Sequence, residues 1–240
     1  MVATELELHV TERIANLKKK FLDTKPTVCV ERAEIYTEVY REREAEPVVV
    51  KRAMALSETL KRMTIRIDEG ELIVGNQSAR LRAAPIFPEY AVDWILGELD
   101  EFEKRPGDAF FPSEEAKSEL RRILPYWKGK TLIEKGNALM SDLMRQIHDS
   151  GIIRAEGNLT SGDGHIAVSF EMALSQGIGG ILAGVRRLQS RIDEAGQSGL
   201  RQAQFYRSVV ITLEAVSQFI RRFEKLAGEL AEVEGDDTRR

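Results

Sequence analysis

The chain is poor in the groups that build metal and redox centres. It has one cysteine, Cys29, and three histidines, His9, His148 and His165, in 240 residues. A single cysteine excludes an internal disulfide and points to a reducing, cytoplasmic setting. No Cys or His pair has zinc spacing, so any metal centre would have to rest on carboxylates alone, and no metal ligand is assigned. Neither GxxxxGK[ST] nor GxGxxG occurs, and there is no G-x-S-x-G elbow. Long apolar runs are missing too. The longest is broken by Gly177, Gly179 and Gly180, and nothing approaches the ~20 apolar residues of a membrane span. The start, MVATELELHVTERIANLKKK, is charged and amphipathic, without the apolar core of a signal peptide. An excess of positive charge is also absent. The net charge is −4, and the pairs Arg121-Arg122, Arg186-Arg187 and Arg221-Arg222 are scattered over helical patterns. Neither a nucleic-acid interface nor a basic membrane-surface helix has support.

What is present is the composition of a packed, water-facing domain. Hydrophobic residues make up 42% and charged residues 31%, enough for one large domain or two small ones. Apolar spacing predicts a helix over residues 4–22, ended by Pro26, and a second over 28–43. Pro47 opens a third that runs to about Arg62. TIRIDEGELIVGN alternates apolar and polar residues around Asp68–Gly70 and predicts a hairpin or two short strands. Residues 79–92, with Pro85 and Pro88, read as irregular, and a helix starts near Glu89. A turn is expected at residues 105–108. Ser113 marks a helix over 114–124. Helices follow over about 131–149, 166–195 and 199–232, the last spanning roughly 50 Å. The fold class is therefore mostly α with a few short strands.

Chemistry is sparse. Cys29, between Val28 and Val30 and next to Glu31, reads as a small buried residue rather than a reactive thiolate. The run GIGG at 177–180 reads as close helix packing. The segment SGDGHIAVSF stands out. Asp163 and His165 alternate with Gly162 and Gly164. An imidazole beside a carboxylate can move a proton near neutral pH, and the flanking glycines allow another molecule to approach. On residues alone, His165 reads first as an anchor of its loop.

A set of ordered segments adds more. CVERAEIYTEVYRE, KRAMALSETL, IDEGELIVGNQSA, FPEYAVDWILGELD, RPGDAF, YWKGKT and GHIAVSFEMALSQGIGGIL follow one another. In this order they resemble the N-terminal region of the glycyl radical enzymes, the pyruvate formate-lyase-like family. The resemblance is to the branch of glycerol and diol dehydratases and choline trimethylamine-lyase, and it covers about residues 12–235. It implies that residues 1–240 are the N-terminal part of a ten-stranded α/β barrel domain. The chain then stops before the family's Gly-Cys-x-Glu cysteine loop and its C-terminal glycyl loop. No catalytic residue is expected in it, and turnover by it alone is not expected.

The resemblance also implies a small-molecule substrate and a glycyl radical installed by an S-adenosylmethionine iron–sulfur activating enzyme. A homodimer of the whole enzyme is implied as well. Asn158, Thr160, Asp163 and His165 become the candidate substrate-binding residues. Ser169 stands where many relatives carry Asp. The alternative is a free-standing helical binding or regulatory protein derived from the family, or one half of a split enzyme. Its motivation is an exposed apolar face expected on the last helix.

Overall fold

The computed structural model describes residues 10–152, 167–194 and 196–235. Helix α1 is Glu12–Asp23. Thr11 caps it by accepting the Ile14 N–H at 3.4 Å. None of its side chains is buried, so polar contacts hold it instead. Lys20 reaches Asp68 at 2.7 Å and the Arg13 guanidinium donates to the Gly70 carbonyl. Arg82, the one described non-glycine residue with positive φ, donates to the carbonyls of Phe21, Leu22 and Thr24. A cation belongs there, because the last carbonyls of a helix lack partners and carry partial negative charge.

Strand β1 is Thr27–Cys29 and pairs in parallel with β2, Ala83–Pro85. The pattern had placed a helix over 28–43 and no strand near 83. The helix instead begins at α2, Glu31–Glu42. Pro85 lacks an N–H and pairs opposite Cys29 at the last register position, where a missing donor is tolerated. Cys29 is buried in this strand, as expected of a small core residue.

The strands expected in TIRIDEGELIVGN do not form. The turn does: Glu71 N–H donates to Asp68 C=O at 3.1 Å, and Gly70 has φ +88°. Beyond the turn, one side chain replaces a ladder. The Asn76 amide accepts from Arg66 N–H and donates to the carbonyls of Thr64 and Ser78. Leu72 and Ile73 are left in solvent, Ile73 at 95% exposure.

Helix α3, Val48–Arg62, starts after Pro47 as the sequence implied. It is the central helix. Lys51, Ala53, Ala55, Ser57 and Thr59 are all buried, because α2 covers one side and the long helix over 196–233 the other. Small side chains let both neighbours approach. Helix α9, Gly196–Val233, is tied across α3 at two places. Arg207 binds Glu46 through both nitrogens, and Arg222 donates to the carbonyls of Leu60 and Met63 at the end of α3.

The core lies between α2, α3, α4 (Asp93–Glu98), a short 3-10 turn at Phe102–Lys104, α5 (Glu114–Ile123) and a second 3-10 turn at Leu124–Trp127. Ser113 caps α5 as predicted, accepting the Ala116 N–H. Trp127 is the largest fully buried side chain and packs on Tyr40 and Tyr126. Its indole N–H donates to the Thr37 hydroxyl at 2.8 Å, and that hydroxyl donates to Ala33 C=O. Burial beside this cluster pushes the Tyr40 phenol up to about 12. Trp127→Phe is expected to cost about 2–4 kcal/mol, because one buried hydrogen bond is lost and the smaller ring leaves a cavity. Urea unfolding would check this. A cost near zero would mean the indole N–H contributes nothing.

The helix expected over 131–149 is two helices, α6 (Leu132–Ala138) and α7 (Asp142–Asp149). Each has its own cap. Thr131 and Glu134 form a reciprocal capping box, and Ser141 accepts the Met144 N–H. Helix α8 is Phe170–Gln189. The reading of GIGG as close packing is corrected here. A Cβ at Gly177 or Gly179 would meet nothing within 4 Å. Gly177 instead adopts φ +64°, ψ 167° inside α8 and kinks it, a conformation that suits glycine. Among the described residues no helix is long and apolar enough to cross a membrane.

Candidate functional site

Asn158, Thr160, Asp163 and His165 all lie within 153–166, outside the described residues. The frame that carries their segment is described on both sides, and it begins at a buried ion pair. The Arg32 guanidinium, at the start of α2, donates to both carboxylate oxygens of Glu89, at 2.5 and 3.0 Å, and to Ile86 C=O. Its plane lies over the Tyr36 ring at 3.7 Å and the Phe87 ring at 3.9 Å. Planar Arg suits such a site, since it stacks and binds a carboxylate through two nitrogens at once. Burial opposes the Arg32 charge, but Glu89 outweighs it and the guanidinium pKa is raised. The buried Tyr36 phenol is also pushed up, chiefly by loss of solvent.

Glu89 passes this order along the backbone. Its carbonyl accepts the Leu132 N–H at 2.9 Å, and Tyr90 C=O accepts the Ile133 N–H at 3.1 Å. The first turn of α6 is thus docked on the segment that Arg32 holds. From there α6 and α7 run to Gly151 and Ile152, where the undescribed segment begins. On its far side, Ser169 caps α8 by accepting the Met172 N–H at 3.4 Å. The resemblance suggests Asp at this position in relatives, and Ser and Asp cap helices about equally well. Helix α8 then rests on α9, with Arg186 bound to Glu214 at 2.5 Å.

A cavity of about 260 Å³ opens beside the ion pair, lined by Arg32, Arg52, Phe87, Tyr90, Ser208 and Thr212 among others. Glu89 neutralises Arg32 there. Arg52 stands over the Tyr90 ring. Among the described residues no group of three or more His, Cys, Asp or Glu side chains is arranged to hold a metal ion. His148 lies in the last turn of α7, beside Asp149 at 3.3 Å. Sequence reasoning missed Arg32 and Glu89. They are 57 positions apart, and no periodicity links them. The only signal was that each falls inside one of the resembling segments.

A second polar group lies on the outer face of α2 and α5. Glu34 faces Glu119, with Arg122 bound to Glu119 and 3.9 Å from Glu34. Burial, then Glu119, raises the Glu34 pKa, while Arg122 holds Glu119 low. The two carboxyls titrate as a unit. A raised Glu34 keeps its proton longer in the folded state, so its contribution to stability is present at acid pH and falls as pH rises through the carboxylate range. Glu34→Gln removes that loss. Its melting temperature relative to the parent is expected to rise between about pH 4 and pH 7. An unchanged difference across that interval would show that Glu34 titrates normally.

A family model described as pyruvate formate lyase-like matches residues 8–240. A probable dehydratase, YbiW, of Escherichia coli (strain K12) is 44% identical over 216 residues, which is 90% of this chain and 27% of the relative. The (2S)-3-sulfopropanediol dehydratase of Klebsiella oxytoca is 32% identical over 237 residues, 95% of this chain and 28% of that protein. The chain thus spans little more than a quarter of the length of these curated relatives. The glycerol-bound form of the B12-independent glycerol dehydratase from Clostridium butyricum superposes with a TM-score of 0.91 at 34% identity, over 95% of this chain and 29% of that one.

Proposed function

The chain belongs to the pyruvate formate lyase-like family, and we propose that it is the N-terminal portion of a glycyl radical dehydratase or lyase. The whole enzyme would break a C–O, C–N, C–S or C–C bond in a small molecule. One observation carries this reading: the match runs through nearly the whole chain, yet spans only 29% of the superposed glycerol dehydratase. The names of the relatives, acting on glycerol and sulfopropanediol, favour a small hydroxylated substrate. The parallel β1–β2 pair suits the first strands of an α/β barrel, with α1–α9 as outer helices. Segment 153–166 would supply one wall of the substrate pocket, with Asn158, Thr160, Asp163 and His165 as its polar groups.

The family's radical chemistry uses a cysteine in a Gly-Cys-x-Glu loop beside a radical glycine. Cys29 does not fit that role, because it follows Val28 rather than glycine and ends strand β1, opposite Pro85. No radical step is therefore assigned to these residues. Both radical carriers belong to the remaining part of the domain, together with a radical-SAM activating enzyme. A cytoplasmic, homodimeric whole enzyme completes the reading.

The test is a chimera in which this chain replaces the matched 27% of the Escherichia coli relative. After anaerobic activation, electron paramagnetic resonance is expected to show a glycyl radical. The 240 residues alone are expected to give neither radical nor turnover. A chimera with the parent's circular dichroism but no radical, under conditions where the parent makes one, would sink the proposal.

A further inference from the structure

Helix α7 and the first turns of α8 bury nothing. In α7, Leu143, Met144 and Ile147 share one face, while Asp142, Arg145, Gln146 and Asp149 take the other. Leu143 is 66% exposed. Across the undescribed segment, Phe170 and Leu174, one turn apart on α8, are 71% and 85% exposed. Soluble proteins seldom leave such a group of large apolar side chains in water without a partner. An eight-residue helix also gains most of its stability from packing an apolar face, and α7 packs that face on nothing described.

We infer that the apolar face of α7 and the start of α8 form a docking surface for the remaining part of a pyruvate formate lyase-like domain. This rests on the functional reading above. What selects the occupant is the comparison of size. The same arrangement of helices superposes at a TM-score of 0.91 inside a chain of which it makes up 29%. These helices flank the segment proposed to face substrate, and the rest of the domain must close the pocket from that side. The exposed Leu72-Ile73 tip, in a stretch that the sequence reads as strand, has the same character.

The test is hydrogen exchange on the isolated chain and on the chimera. Amides of α7 and the first two turns of α8 are expected to exchange at least tenfold more slowly in the chimera. Equal exchange in both would overturn the inference. In the isolated chain, Leu143→Glu and Leu174→Glu are expected to shift the melting temperature by less than about 2 °C and leave it monomeric. A fall of more than about 5 °C would mean that the chain covers this face itself. A dimer that Leu143→Glu dissociates would make the occupant a second copy. Either result overturns the inference without needing the chimera. A chimera that makes its radical while α7 exchanges as fast as before would remove the docking surface and leave the functional reading standing. One that protects α7 but makes no radical would do the reverse.

Discussion

Arg32→Ala is expected to destabilise the chain by about 3–5 kcal/mol, because it leaves the Glu89 carboxylate buried without its counter-charge. Glu89 is among the most buried charged residues described, and both of its oxygens are taken by Arg32. Two aromatic faces also lose the cation between them. Total stabilities of about 5–15 kcal/mol make such a loss a large fraction of the whole. Arg32→Lys keeps the charge but not the fork or the stacking, and should recover only part of it.

Arg32→Met with Glu89→Leu should be much milder than Arg32→Ala, since replacing both partners strands no charge. Urea unfolding of the parent and these three variants measures the differences. A cost below about 1 kcal/mol for Arg32→Ala would mean that water reaches Glu89 and screens it. The effect should also travel. Since Glu89 and Tyr90 hold the first turn of α6, the Leu132 and Ile133 amides should exchange faster in Arg32→Ala.

His165→Ala, made in the chimera, is expected to lower kcat/KM by about 10–10²-fold while leaving the radical yield unchanged, as loss of one hydrogen bond to substrate does. The proposed pocket offers one imidazole, next but one to Asp163 in the sequence, and an imidazole can both donate and accept a hydrogen bond. Asp163→Asn should impair turnover in the same direction, because a charged acceptor for the substrate becomes a neutral amide. Anaerobic turnover and spin counting on the same sample separate the two effects. Parent-like turnover by His165→Ala would reduce His165 to an anchor of its loop. A loss of radical in proportion to activity would place the damage in activation or folding instead.

The elements legible in the sequence are those marked by local chemistry. Pro47 before α3, Ser113 before α5 and the Asp68–Gly70 turn each depend on groups within about four residues, and each stands where the pattern put it. The long α9 follows from its repeating apolar face. Errors arose where a distant partner outweighed local propensity. Thr27–Cys29 is a strand because Ala83–Pro85 lies beside it. The TIRI and LIVG stretches form no ladder, because the Asn76 side chain takes the Thr64 carbonyl and the Arg66 N–H. The 131–149 helix breaks because Ser141 begins a new one.

The candidate site divides in the same way. Asp163 and His165 were singled out because two glycines set them apart, and they lie outside the described residues; membership of the family was legible because its segments keep their order along the chain. Neither needs a contact map. The Arg32–Glu89 pair, the docking of α6 on its backbone and the tying of α9 across α3 needed the tertiary structure. Each joins residues far apart in the chain, and such a pairing exists only once folding has met the entropic cost of closing the loop between them. The exposed faces of α7 and α8 belong to that second class. The sequence shows that they are apolar, and only the fold shows that nothing described covers them.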